Sequence, residues 1–350
     1  GIVVFDYFLA LHPKVLKTML WGAFFCLGVF MKRAMIVDAH NQYLRAYISD
    51  PSTSYSGDHI GGICGFLKVL NKLSREIKPD QIIVVWDGAG GSQRRRSANK
   101  NYKSGRKPLR LNRVNANFTA EQETDSKIRQ QLRSIEYLNN SPVIQFMEPA
   151  IEADDVIAFV SRFTKYKEWQ KVIVSSDKDF IQLLDDNTLL YRPTQKEVLN
   201  KNSVVEKHGI HPNNFALARA VAGDVSDGLK GVQGVGLPTI AKRFSFLSEE
   251  KDYSIYELLR YCQTLSESSK IKVYENILLN QEVIAGNYGL MQLSSPSISP
   301  QTKSRIRDRI ENFVPLFNKT NFRTMMSKDG FGQIGLSDLF TSFNHTVTPK

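Results

Sequence analysis

The 350-residue sequence holds only three cysteines, Cys26, Cys64 and Cys262, and none lies near another. That excludes a disulfide framework and a cysteine zinc site, and it fits a reducing compartment. Histidine gives no metal signal either. His208 and His211, in His-Gly-Ile-His-Pro, have no further His or Cys in support and read as loop residues. The apolar run Met19 to Met31 is too short to span a bilayer, and no small-x-small cleavage site follows it. Met31-Lys32-Arg33 opens directly into a strand. Met31 therefore reads as the natural start, and residues 1–30 as an apolar extension that is not native rather than a membrane-associating segment. There is no internal repeat and no long low-complexity tract.

Acidic residues are missing altogether between 88 and 120. The same stretch carries Arg94, Arg95, Arg96, Lys100, Lys103, Arg106, Lys107, Arg110 and Arg113, with Tyr102 among them. A charge run is usually a solvated face or a tail. This one lies inside a domain and suits gripping phosphates. Tyr102 either stacks on a base or packs. The net charge of +11 and the pI near 9.4 favour a polyanionic partner, a nucleic acid or an acidic membrane surface.

Against this basic background nine carboxylates stand in compact groups. Asp38, Asp87 and Asp177 follow short apolar runs that read as strands: Met35-Ile36-Val37, Ile82 to Trp86 and Val172-Ile173-Val174. Glu152-Ala153-Asp154-Asp155 opens a helix. Capping needs one acid there, and three in four residues point to a cation. Asp177 and Asp179 lie two residues apart just past a strand, and Asp224 and Asp227 share a Gly-rich loop. Storing that much negative charge has a divalent cation as its usual reason.

From Ala34 strands alternate with helices: 34–38, a helix over 61–77, strand 81–87, helix 121–139, strand 143–146, helix 153–166, strand 171–176, a helical turn 180–184 and strand 189–192. This predicts a mostly parallel sheet with helices on both faces and ligands beyond the carboxyl ends of the strands. After about Glu206 the pattern turns helical. Gly231-Val232-Gln233-Gly234-Val235-Gly236 joins two helices there. Without a preceding strand it reads as a hairpin whose amides can hold a phosphate, with Lys242 and Arg243 adding charge.

Together these motifs resemble the structure-specific 5′ nucleases, or flap endonucleases. That family includes the 5′-nuclease domains of bacterial DNA polymerases and the phage enzymes called RNase H. The matching residues are Ile-Val-Asp38, Trp-Asp87-Gly, Tyr102-Lys103-x-x-Arg106 and Glu152-Ala-Asp154-Asp155. Ser-Asp177-Lys-Asp179-Phe, Gly-Asp224-x-Ser-Asp227 and Gly-Val-x-Gly-Val-Gly follow, so the likeness covers about residues 34–245. Tyr274-Glu275-Asn276 and Gly335-Leu336-Ser337-Asp338-Leu339 look most like the phage branch. One departure stands out: the family commonly has Asn where this chain has Gly228.

The resemblance implies a PIN-like, Rossmann-like core over 31–205 with a basic helical arch at about 88–120. It also implies a helix-hairpin-helix-type duplex-binding region over 206–290 and a helical segment over 291–350. Asp38, Asp87, Glu152 and Asp154 would surround one Mg²⁺. Asp155, Asp177, Asp179, Asp224 and Asp227 would serve a second, directly or through water; Mn²⁺ would substitute, and a monovalent cation would sit at the hairpin. Lys103 and Arg106 would be the catalytic cations of the arch. Arg94, Arg95, Arg96, Lys100, Tyr102, Gly231, Gly234, Gly236, Lys242 and Arg243 would bind nucleic acid.

The implied activity is 5′-3′ exonuclease or flap endonuclease action on DNA and on RNA paired to DNA, in primer or flap removal. The implied partners are branched or 5′-ended duplex DNA, RNA/DNA hybrid, a sliding clamp and a single-strand-binding protein, and no membrane. A monomer in the cytoplasm is expected, the host's if the chain is phage-encoded. The rival readings are a PIN-type ribonuclease, which lacks the hairpin and long arch, and an inactive junction-binding protein, which would show gaps among the carboxylates.

Overall fold

Five runs of aliphatic and β-branched residues form parallel neighbours in one sheet. They are β1 (Arg33–Asp38), β2 (Gln81–Val85), β3 (Val143–Phe146), β4 (Gln170–Val174) and β5 (Thr188–Arg192). Each is covered by helices on both faces, so each reads as a continuous apolar run rather than an alternating one. A sixth strand, β6 (Glu197–Leu199), returns antiparallel to β5 through a tight turn. The order is β3-β2-β1-β4-β5-β6. Chain direction across the sheet therefore reverses between β1 and β4, and a crevice opens there beyond the carboxyl ends.

The computed structural model describes residues 31–104, 118–268, 271–332 and 334–348. By its contacts the chain divides into Gly1–Lys32 and a compact unit Arg33–Lys350. The expectations for residues 1–30, and for Arg106, Lys107, Arg110 and Arg113, lie outside the described residues. Among the described residues no helix is long and apolar enough to cross a membrane.

One face of the sheet packs on Ala153–Ser161 and Pro212–Ala222, and its core runs without a break from Ile36, Ile83 and Ile173 through Phe215, Val232 and Ile240 to Leu258, Ile284 and Ile306. The other face carries Ala39–Ser49 and Gly61–Ile77, with Tyr43, Phe66 and Trp86 in edge contact. Buried Asn214 ties Pro212–Ala222 to the following loops. Its side chain donates to the carbonyls of Leu247, Glu249 and Lys251 and accepts from Tyr253 N. A buried amide with every bond made fixes this helix in place.

Three local expectations are corrected. The region after Glu206 is not free of strand: Gly223–Asp224 and Leu229–Lys230 pair as a two-residue ribbon, β7 and β8. His211 is not a loop residue but the N-cap of Pro212–Ala222, accepting from Asn213 N, and His208 ends the helix Lys201–His208. Residues 39–49, left unassigned by the apolar pattern, are helical. Their buried face is Ala39, Gln42, Tyr43, Ala46 and Tyr47, which is helical spacing with little hydropathy.

Candidate active site

Parallel register brings the strand ends together. Asp38 stands opposite Val85 and Val37 opposite Val174, so Asp38, Asp87 and Asp177 share one edge at the reversal of strand order. Asp38 caps the helix Ala39–Ser49, accepting from Asn41 N at 3.2 Å, and takes the Ser175 hydroxyl at 2.7 Å. Asp87 accepts from Ala153 N at 2.8 Å and so caps Ala153–Ser161 from a neighbouring strand. Of the acids at the helix's own start, Asp154 accepts from Asp155 N at 2.8 Å, while Glu152 makes no capping bond. Asp155 accepts from Ser297 N at 2.9 Å, and Asp177 accepts from Asp179 N at 2.9 Å.

Eight of the nine carboxylates feel one another, and Asp224 joins them through Arg219. Asp38 feels Asp87 and Asp177; Asp177 and Asp179 both feel Asp154 and Asp227. Burial, reinforced by Asp87 and Asp177 and opposed by the Ser175 bond, pushes Asp38 up to about 7. Burial and then Asp177 push Asp179 up to about 8, although Arg219 opposes them. Asp155 and Asp177 are raised as well, by burial first and then by neighbouring carboxylates. Crowded carboxylates that resist ionising are short of positive charge.

Two guanidiniums supply part of it. Arg95 lies inside the cluster: Nη1 bonds Glu152 and, at 2.7 Å, Asp154, and Nη2 bonds Asp155 at 3.2 Å. Arg95, expected at the nucleic acid, is held by three carboxylates in this structure. Arg219, which the sequence reading missed, bonds Asp179 at 2.9 Å and Asp224 at 2.5 Å. Its signal was a lone cation on an otherwise apolar helix, five residues before Asp224. Among the described residues no group of three His, Cys, Asp or Glu side chains is drawn in to ligand geometry. The donors are nevertheless all carboxylate oxygens, the chemistry of hard divalent cations, and the raised pKa values of Asp38, Asp155, Asp177 and Asp179 register the charge such cations would meet.

The foot of the basic stretch is stitched to the same site. Lys103 Nζ lies 2.9 Å from Glu152 Oε1, and its amide donates to the Asp227 carbonyl at 2.8 Å. Burial works against the Lys103 ammonium, yet Tyr102 and Glu152 hold its pKa above the ordinary value. Tyr102 is 3% exposed, packs on Leu229, Leu290 and Met291, and points its hydroxyl at Glu152. Of the two expectations for Tyr102, packing is the one this environment displays. Arg94, Arg96 and Lys100 are exposed. Gly228 has φ +72°, and a Cβ there would collide with the Asn101 carbonyl. The missing side chain lets the Asp224–Asp227 loop press against the turn at Asn101.

The hairpin lies beyond that loop. Val232 and Val235 are buried and hold it down, while Gly234, with φ +77°, has open space at its tip. Gly231 lies against Ala222 and Gly223, and Gly236 is the N-cap of Leu237–Arg243. Lys242 and Arg243 sit in the last turn of that helix, at the end away from the hairpin.

A pH dependence follows for the metal-free protein. Asp38 and Asp179 hold protons more tightly folded than unfolded, so between about pH 4 and 8 the native state binds more protons. Unfolding free energy must then fall as pH rises through that window. Urea titrations in EDTA at pH 5.5 and 8.5 should show the lower midpoint at pH 8.5, and Mg²⁺ should abolish the difference. Equal midpoints in EDTA would mean that the carboxylates are not under strain.

A profile of the family described as 5′-3′ exonuclease, N-terminal resolvase-like domain matches residues 33–209. A 5′-3′ exonuclease of Aquifex aeolicus (strain VF5) is 30% identical over 211 residues, 60% of this chain and 68% of that protein. A DNA polymerase I of Deinococcus radiodurans is 32% identical over 212 residues, 59% of this chain; the match spans only 20% of that protein. The flap endonuclease of bacteriophage T5, solved as a pseudo-enzyme-product complex with DNA and metal ions, superposes with a TM-score of 0.58 at 17% identity, covering 85% of this chain and 98% of that one. That likeness shows a shared fold, the PIN-like sheet flanked by helices.

Proposed function

The chain belongs to the 5′-3′ exonuclease family through its N-terminal resolvase-like domain, and from that premise we propose that it is a metal-dependent phosphodiesterase acting at 5′ ends and flaps of DNA. RNA paired to DNA is the second substrate, and primer or flap removal in replication and repair is the role. The observation that carries this reading is the convergence of nine carboxylates at the reversal of strand order, with Lys103 set against Glu152.

Asp38, Asp87, Glu152 and Asp154 would hold one Mg²⁺, and Asp155, Asp177, Asp179, Asp224 and Asp227 the other, with Mn²⁺ able to substitute. When bound, these ions supply Lewis acidity at the phosphodiester. The chain's own groups do the rest. Arg94, Arg96 and Lys100 draw the phosphates in. Lys103, joined in the proposal by Arg106, offsets charge that grows on the phosphoryl oxygens. The Gly231–Gly236 hairpin holds the duplex backbone, with a monovalent cation as its companion. Water oxygen bonds to phosphorus, the P–O3′ bond breaks and a proton ends on O3′, leaving 5′-phosphate and 3′-hydroxyl. A sliding clamp and a single-strand-binding protein are the proposed protein partners of a monomer.

The test is incubation with Mg²⁺ and a 5′-labelled flap duplex. One labelled fragment of flap length marks a cut at the junction; mononucleotides mark stepwise action. No product with either Mg²⁺ or Mn²⁺ overturns the reading.

A further inference from the structure

Arg219 has no place in the reaction just described, yet it is one of the most confined charges in the molecule. It is 9% exposed, on a helix that also buries Phe215, Leu217, Ala218 and Val221. One Nη atom reaches two carboxylates from different parts of the chain, Asp179 after β4 and Asp224 in the third acidic loop. Asp177 lies within its field as well. Its Nε is buried and has no acceptor. Burying a guanidinium with a donor unfilled is costly and is not explained by packing. Asn214 and Asn287, which donates to the Ala220 and Lys230 carbonyls, already fix the helix and the ribbon beside it.

We propose that Arg219 is a positioning residue that acts as a built-in counter-cation of the second metal site, holding Asp179 to Asp224 and keeping the affinity of that site for a divalent ion low. This rests on the function proposed above. Two effects compete when the charge is removed. Losing the clamp lets the carboxylates splay, which weakens ion binding. Losing a full positive charge in contact with two ligands removes direct repulsion of a dication. A charge at that range, inside a partly buried cleft, outweighs one shared clamp. The site without Arg219 should therefore bind its ion more tightly and use it less well. A weakly held second ion keeps the site exchangeable between turnovers.

The experiment compares Arg219→Gln and Arg219→Lys with the parent. Gln keeps a donor and removes the charge; Lys keeps the charge and loses the fork. Mn²⁺ binding to the full chain without DNA is followed by electron paramagnetic resonance. Cleavage of a flap duplex is measured against Mg²⁺ concentration, with thermal melting as a check on folding. For Arg219→Gln we expect the weaker Mn²⁺ site to tighten at least tenfold. The half-saturating Mg²⁺ should fall in parallel, kcat should drop, and KM for DNA should hold. Arg219→Lys should stay within about threefold of the parent in Mn²⁺ affinity. Unchanged or weaker Mn²⁺ binding by Arg219→Gln, in a protein that melts cooperatively, overturns the proposal, because a purely structural role lowers stability without tightening a metal site. If Arg219→Gln does not fold, tenfold tighter binding by Arg219→Lys overturns it too, and affinity held within threefold supports it. If the parent binds Mn²⁺ but cuts no flap, the proposed function fails while the Arg219 comparison still stands.

Discussion

Asp177→Asn should lose at least a thousandfold in cleavage rate and yet melt higher than the parent in EDTA. Asp177 stands at the reversal of strand order, amid Asp38, Asp154, Asp179 and Asp227. Its carboxylate accepts the Asp179 amide, and an asparagine carbonyl can accept it equally well, so the local turn survives the change. What disappears is one negative charge from a crowded cleft. Without metal that is relief, worth on the order of 1 kcal/mol. With metal it removes a ligand whose contribution is realised in the transition state, and a thousandfold corresponds to about 4 kcal/mol. Binding of flap DNA in Ca²⁺ should be retained or tightened, since Arg94, Arg96 and Lys100 are untouched. Single-turnover cleavage at saturating enzyme, paired with melting curves in EDTA, gives both readings. Activity within tenfold of the parent would remove Asp177 from the chemistry.

The second large effect is expected at Lys103. Lys103→Ala should lower kcat by about a hundredfold, with a much smaller change in KM for a flap duplex. Lys103 lies at the carboxylates, 2.9 Å from Glu152. Its removal also leaves Glu152 leaning on Arg95 and the Tyr102 hydroxyl. Arg94→Ala and Arg96→Ala, on exposed side chains, should do the reverse: raise KM and reduce the slope of log K against log salt by about one per residue, with kcat nearly intact. Paired kinetics at two salt concentrations separate the two behaviours. A Lys103→Ala enzyme altered only in KM would place that ammonium on the substrate's backbone, away from the reacting phosphate.

The contrast within Arg94-Arg95-Arg96 shows where the sequence stops being legible. A run of like charges identifies a basic segment, but only the helical turn of about 100° per residue decides which member faces inward. Arg95 does, and its neighbours stay in solvent. The carboxylates were legible for the opposite reason. Parallel strands buried on both faces are unbroken apolar runs, so acids placed directly after them announce the functional edge of the sheet. The polar helical face of 39–49, the three-residue β6 and the two-residue ribbon β7–β8 carry too little periodicity to be read. Arg219 was hard to read because only Asp224, five residues on, lies near it in sequence; Asp179 becomes its neighbour only once the sheet and the third loop are assembled.

Gly228 carries a consequence for how this protein could be recombined with its relatives. The arch foot and the third acidic loop meet where Asn101 approaches the missing side chain and the Lys103 amide closes on the Asp227 carbonyl. The two segments lie more than a hundred residues apart in sequence, yet they form one joint. A chimera that takes its arch from a donor with asparagine at the matching position receives a foot shaped for a different neighbour. A chimera that takes only the loop brings a side chain into the Asn101 carbonyl. Neither segment is a cassette by itself, so crossovers should be placed so that both come from the same parent.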